Sequence, residues 1–213
     1  VQLKAADDFL PQSKWIGSEH CQSTPNTWLC FRKTVHLPSV PGEMIANIAV
    51  DSKYWLWING KMVVFEGGLK RGPAPGATYY DQVDIAPYLE KGENTIALLV
   101  WHFGKNGFSH VNSGTAALLF CAQGANLSIV SDKSWQCSVY RAYQNTEAPF
   151  PNYRLSESNI RFDARKELAG WNMPDFSGKL GASIEIVAPN EMPFGKLVAR
   201  PIPMWKNGGL TDY

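Results

Sequence analysis

An Asn-Gly pair at Asn59-Gly60 divides two runs of aromatic and branched residues, Lys53-Tyr54-Trp55-Leu56-Trp57-Ile58 and Lys61-Met62-Val63-Val64-Phe65. Both central residues of a type I′ turn need φ > 0, which Asn tolerates and Gly adopts freely. The pair therefore predicts a two-residue hairpin, with residues 53–58 and 61–65 as antiparallel neighbours. Side chains alternate along a strand, so Tyr54, Leu56 and Ile58 share one face and Trp55, Trp57 and Asn59 the other. If the first set is core, two indoles lie on the opposite face, and something must cover them.

The rest of the chain continues in the same idiom. Residues 27–37 and 45–51 read as strands, with Leu29, Phe31, Val35 and Leu37 on the inner side of the first. Residues 79–85 follow a Gly/Pro-rich loop at 67–77. Residues 95–103 form a nearly continuous apolar run, Ile96, Leu98, Val100 and Trp101, which predicts a central strand buried on both faces. Further strands are expected at 115–122, 127–130, 135–139, 160–162, 183–187 and 196–200. With Gly 18 and Pro 14 in 213 residues, long helices have little room. About ten short strands between turn signals predict an all-β jelly-roll β-sandwich, and no strand–helix–strand units suggest a parallel sheet. Residues 1–14 read as a lead-in, 15–200 as the sandwich and 201–213 as a tail or a linker to a missing catalytic domain.

The function classes narrow from charge and hydropathy. A net charge of +1 gives no footprint for nucleic acid, and no apolar run reaches the ~20 residues of a membrane span. Val1-Gln2-Leu3-Lys4 is neither a start nor the apolar core of a signal peptide, which suggests a processed or trimmed chain. Cys21, Cys30, Cys121 and Cys137 lack metal-ligand spacing and read as buried free thiols, although three disulfide pairings remain open on paper.

Three segments carry a resemblance to a known family. They are Asp51…Tyr54-Trp55-Leu56-Trp57-Ile58-Asn59-Gly60-Lys61, Tyr80-Asp81…Val83-Asp84-Ile85…Gly92-Glu93-Asn94-Thr95-Ile96, and Trp101-His102-Phe103-Gly104-Lys105. Together with Trp15-Ile16, Phe31-Arg32-Lys33, Phe162-Asp163-Ala164-Arg165-Lys166-Glu167 and Gly170-Trp171-Asn172, the chain resembles the N-terminal jelly-roll, galactose-binding-like domain of bacterial α-L-rhamnosidases. The resemblance implies a multidomain glycoside hydrolase whose active site lies in a separate α/α barrel, absent from this sequence. The expected role is then a non-catalytic accessory domain that binds a rhamnose-containing glycan or buttresses the catalytic domain. It also implies a secreted or periplasmic bacterial protein, and a structural calcium is a candidate cofactor, although no dense Asp/Asn cluster is visible.

Aromatic and polar side chains supply the candidate site. Trp55 and Trp57, with Tyr79, Tyr80 and Trp101 as neighbours, offer rigid surfaces on which a sugar's C–H face could stack; the alternative is packing beneath loops or against another domain. The polar loop at 105–112 holds Lys105, Asn106, His110 and Asn112, which suit hydroxyl groups or, alternatively, hydrogen bonds within the loop. The aromatic face is expected to lie beside this loop, because Trp101 ends its strand where the loop begins. A glycosidase needs two carboxyls ~5–9.5 Å apart across a cleft. Asp81, Asp84, Asp163 and Glu167 are the candidates, and each also reads as a solvated or salt-bridged surface carboxylate. A self-contained hydrolase using Asp163 or Glu167, and a protein-interaction module using the Trp55/Trp57 face, are the competing functions.

Overall fold

The computed structural model describes residues 8–21, 23–69, 72, 74, 76–107, 110–146, 160–187, 191 and 194–209. Its strands are β1 (Ile16–Gly17), β2 (Thr27–Leu37), β3 (Ile45–Val50), β4 (Lys53–Ile58), β5 (Lys61–Gly67), β6 (Ala77–Asp84), β7 (Gly92–His102), β8 (Leu118–Gln123), β9 (Ser128–Val130), β10 (Gln136–Val139), β11 (Tyr143–Asn145), β12 (Ile160–Phe162), β13 (Gly181–Ala182), β14 (Ile184–Glu185) and β15 (Lys196–Ala199). They build a jelly-roll β-sandwich. The back sheet runs β14-β1-β8-β3-β6-β15, with β9 added to β8; the front sheet runs β13-β10-β2-β7-β4-β5, and β11 and β12 form a small separate ribbon.

The hairpin forms where the sequence demands it. Asn59 has φ 51° and Gly60 φ 78°, and Ile58 pairs with Lys61 directly across the turn. A side-chain bond fixes the turn further, since Asn59 Oδ1 accepts from Thr95 N at 2.9 Å and its amide donates to Tyr88 O at 3.1 Å. β4 alternates half-buried and buried residues along its whole length, with Tyr54, Leu56 and Ile58 wholly enclosed. β7 is the central strand expected, paired with β2 on one side and β4 on the other.

Between the sheets lie Leu29, Phe31, Ile48, Leu56, Ile96, Leu98, Leu118 and Phe120, all without solvent exposure. Each such side chain contributes on the order of 1.5–3 kcal/mol by leaving water. Both outer faces are also covered. Over the back sheet, Trp15 stacks on Phe194 at 3.7 Å and Phe9 meets Tyr80 edge-on at 5.2 Å. The segment just before residue 14 is thus part of the sandwich, and Asp8 contributes its carbonyl to the Asn47 amide at 2.6 Å. Beyond residue 200, Met204 packs on the central core.

Two features depart from the sequence expectation. β15 pairs with β6 in parallel, although no crossover helix announces a parallel neighbour. Its partner is reached instead by a long excursion of the chain that passes through both sheets. Asp81, expected at a surface, is completely buried and meets the Tyr54 hydroxyl of the facing sheet. The four cysteines are buried and free, and burial pushes the Cys30 thiol up to about 12.

Candidate functional site

The outer face of the front sheet gathers the tryptophans. Trp28 of β2 and Trp101 of β7 are directly paired across strands, and their rings stack at 5.3 Å. Trp55 stacks on Trp28 at 5.4 Å, Tyr143 lies on it at 4.0 Å, and Trp57 meets Trp171 edge-on at 5.8 Å. Tyr140, Ala142 and Trp171 are buried here, with Ile160, Leu168, Phe176 and Leu180 packed around them. The cover over Trp55 and Trp57 is therefore the chain's own later segment. Arg32 holds part of that cover in place by donating to Met173 O at 3.1 Å and Pro174 O at 3.2 Å.

This geometry corrects two of the candidate contacts. Trp101 has no exposure, and its indole N–H is satisfied by Asn26 Oδ1 at 2.7 Å. Tyr80 is 2% exposed and donates to the Asp8 carboxylate. Both are core side chains, because each stands on a sheet face that another segment covers. Trp55 and Trp57 keep partial exposure.

The loop following β7 does lie beside the aromatic face: His110 is buried, 4.4 Å from Phe103 and 5.9 Å from Trp101 by ring centroids. Its polar side chains largely serve the loop. Asn106 Oδ1 accepts from Asn112 N at 2.9 Å, and Asn112 bridges the Gly104 carbonyl and the Gly114 N–H at 3.1 and 2.8 Å. Lys105 is exposed at the rim. The anchor of the loop is Asp51, which the sequence reading placed in the family resemblance but not among the candidate site residues. Its carboxylate accepts from Ser113 N at 2.8 Å, from the Ser113 hydroxyl, and from Ser52 Oγ at 2.9 Å. His102 Nδ1 lies 3.3 Å away, an ion-pair distance without hydrogen-bond geometry. Burial pushes the Asp51 carboxyl up, but the proximity of His102 and the Ser113 donors outweigh it, and the group ends below its ordinary value.

Next to this anchor is a cleft of about 190 Å3 lined by Asp51, Thr78, Tyr79, Val111, Asn112 and Ser113. It brings together Tyr79 and Asn112 from the predicted set. It is smaller than the ~300–1,000 Å3 of sites for drug-sized ligands. Trp55 and Trp57 do not line it.

The carboxylates have structural partners. Asp81 accepts from Tyr54 OH at 3.0 Å and Gly68 N at 2.7 Å and faces Arg200 Nη1 at 3.3 Å. Burial and the Asp81 charge hold the Tyr54 phenol well above its ordinary value, so it remains a donor. Asp84 accepts from Met44 N and Ala86 N at 3.2 and 3.1 Å. Asp163 caps a short 3₁₀ turn, and its hydrogen bonds from the Arg165 guanidinium hold its carboxyl down at about 2. Glu167 accepts from Tyr140 OH at 3.4 Å. Among the described residues, no group of three or more His, Cys, Asp or Glu gathers as metal ligands.

Neither a family model nor a curated protein matches the sequence. Solved structures do. A GH78 family rhamnosidase of Bacillus sp. GL1 superposes with a TM-score of 0.79 and 26% identity, over 94% of this chain and 20% of that one. The fold is that of one domain of an α-L-rhamnosidase. The α-L-rhamnosidase from Dictyoglumus thermophilum matches with a TM-score of 0.68 and 22% identity over 91% of this chain and 23% of its own. A lectin from Pleurotus ostreatus, solved in complex with GalNAc, matches with a TM-score of 0.55 and 17% identity over 92% of this chain and 48% of its own. The two last likenesses are of fold alone. The chain spans about one fifth of the length of the rhamnosidases it matches.

Proposed function

We propose that this chain is a non-catalytic accessory domain of an α-L-rhamnosidase-type glycoside hydrolase and that it contacts carbohydrate. The observation that carries this reading is the superposition of nearly the whole chain on one fifth of such an enzyme. The lectin likeness places the same sandwich in a protein solved with a sugar. The chemistry of the carboxylates agrees with a non-catalytic role. A general acid in a glycosidase needs a raised pKa, whereas Arg165 pulls the Asp163 carboxyl down. A second reading, support of a catalytic domain, draws on the large exposed side chains Met62, Phe65, Met173 and Trp205, since such surfaces often mark contacts with other protein.

The test measures hydrolysis and binding on the same protein. No turnover of an aryl α-L-rhamnoside is expected. Turnover abolished by Asp163→Asn or Glu167→Gln would make the chain an enzyme and sink the proposal. Calorimetric titration with L-rhamnose and with rhamnose-containing oligosaccharides should show saturable binding. If only a separately expressed rhamnosidase catalytic domain perturbs the tryptophan emission, the supporting role is the correct one.

A further inference from the structure

Among the described residues, Arg32 and Arg200 bury their guanidinium groups in different ways. Arg200 faces the Asp81 carboxylate at 3.3 Å. Arg32 is 7% exposed, yet its acceptors are all neutral: Thr34 Oγ1 at 2.8 Å, Thr95 Oγ1 at 3.2 Å, and the carbonyls of Met173 and Pro174. No carboxylate of the described residues lies within ion-pair distance of it, and its Nε makes no hydrogen bond. Removing a charge from water without a counter-charge is costly. A guanidinium stays protonated all the same, so among the described residues its positive charge has no ion-pair partner.

Arg32 lines a cavity of about 340 Å3 together with Lys33, Thr34, Ser134, Gln136 and Phe176. The cavity lies toward the β13 end of the front sheet, where Gln136 of β10 pairs with Arg32 of β2. Lys33 Nζ donates to the Ser134 hydroxyl, which donates in turn to Asp132. Asp132 thus offsets Lys33 through one hydroxyl, and among the described residues Arg32 keeps no counter-charge. The Phe176 ring lies 6.0 Å from the guanidinium carbon. The wall therefore combines two cations, two hydroxyls, a carboxamide and an aromatic ring.

We propose that this cavity binds a carboxylate-bearing sugar, a uronic acid residue of an acidic glycan. The sugar's carboxylate would supply the missing counter-charge, with charge-assisted hydrogen bonds stronger than those between neutral groups. Thr34, Ser134 and Gln136 offer donors and acceptors for ring hydroxyls. The inference rests on the carbohydrate reading above and narrows it to the acidic class, at a place distinct from the cleft beside Asp51.

Arg32→Gln would also release the carbonyls of Met173 and Pro174, so the decisive variants are Lys33→Gln and Gln136→Ala, on less buried side chains. The full chain is titrated with D-glucuronate and D-galacturonate, with L-rhamnose as the neutral comparison, and with acetate and sulfate as anions lacking a sugar ring. Uronates should bind roughly tenfold more tightly than L-rhamnose at this site, weaken as salt is added, and lose roughly tenfold in affinity in Lys33→Gln at unchanged melting temperature. Uronates binding no better than L-rhamnose, or with unchanged affinity in both variants, would overturn the proposal. So would acetate or sulfate binding as tightly as the uronates, which would mark an anion site without sugar recognition. Rhamnose binding without any gain for uronates leaves the accessory-domain reading standing and removes this one; no sugar bound at all removes both carbohydrate claims.

Discussion

Arg200→Met should be among the most damaging single changes in the chain. Its side chain is 4% exposed and Asp81 is fully buried, so the substitution leaves a carboxylate in the core without its cation. Breaking a buried pair in this way costs about 3–5 kcal/mol. Asp81 keeps the Tyr54 hydroxyl and the Gly68 N–H, which places the carboxylate's share near the lower bound. Arg200 also donates to Ile202 O at 3.0 Å and Pro203 O at 3.2 Å, and losing those bonds adds on the order of 1 kcal/mol. The expected total is about 3–4 kcal/mol, or about 6–16 °C in melting temperature for a domain of this size. Urea denaturation of Arg200→Met, Asp81→Asn and the double variant measures it. The double variant should recover about 2 kcal/mol relative to the sum of the singles, because it removes the orphaned charge. Strict additivity, or a single-variant cost below about 1 kcal/mol, would show that the pair does not hold β15 to the sheet.

Gly60→Val combines a positive φ with a Cβ placed 2.7 Å from Met173 Sδ; a loss of about 2 kcal/mol or more is expected, and a thermal melt within 1 °C of the parent would contradict the turn geometry. Trp171→Ala should cost about 3–5 kcal/mol and shift the tryptophan emission to the red as Trp57 loses its cover; unchanged emission would mean that the segment does not shield the indole. Asp51 gives a pH signature. Its folded carboxyl lies below the ordinary value of 3.8, so its stabilisation is complete above that value and is lost as pH falls through the lower, folded value. Stability measured from pH 6 to 2.5 should fall more steeply at the acid end in the parent than in Asp51→Asn, and parallel curves would refute the assignment.

What the sequence disclosed and what it withheld follow from the range of the interactions. The Asn59-Gly60 turn is a local constraint on φ, and the alternation of Tyr54, Leu56 and Ile58 against Trp55 and Trp57 is a local period, so both were legible. The central place of β7 was equally legible, because apolar side chains on both parities of one strand leave no face for water. The cover over the tryptophans was not. Tyr140, Trp171 and Phe176 come from an irregular stretch with no period to read, and nothing local says which face they will meet. The partners of Asp51, Asp81 and Arg32 were hidden for the same reason. A carboxylate or guanidinium looks alike in sequence whether it is solvated, paired or buried alone, and the deciding neighbour is set by topology. Tyr79 was recognised as an aromatic candidate and Asn112 as a polar one, but their meeting at one cleft depends on the loop that Asp51 anchors.

The parallel pairing of β15 with β6 bears on how such a domain is made. Arg200 follows Asp81 by 119 residues, and at about 5–20 residues per second a ribosome takes roughly 6–24 s to travel between them. Throughout that interval the emerging chain holds an aspartate that belongs in the core but has no cation, and β6 presents an open edge. The back sheet can close only when the last strand arrives, so completion of this sandwich is timed by translation, and a chaperone that shields the waiting edge would have its longest work here.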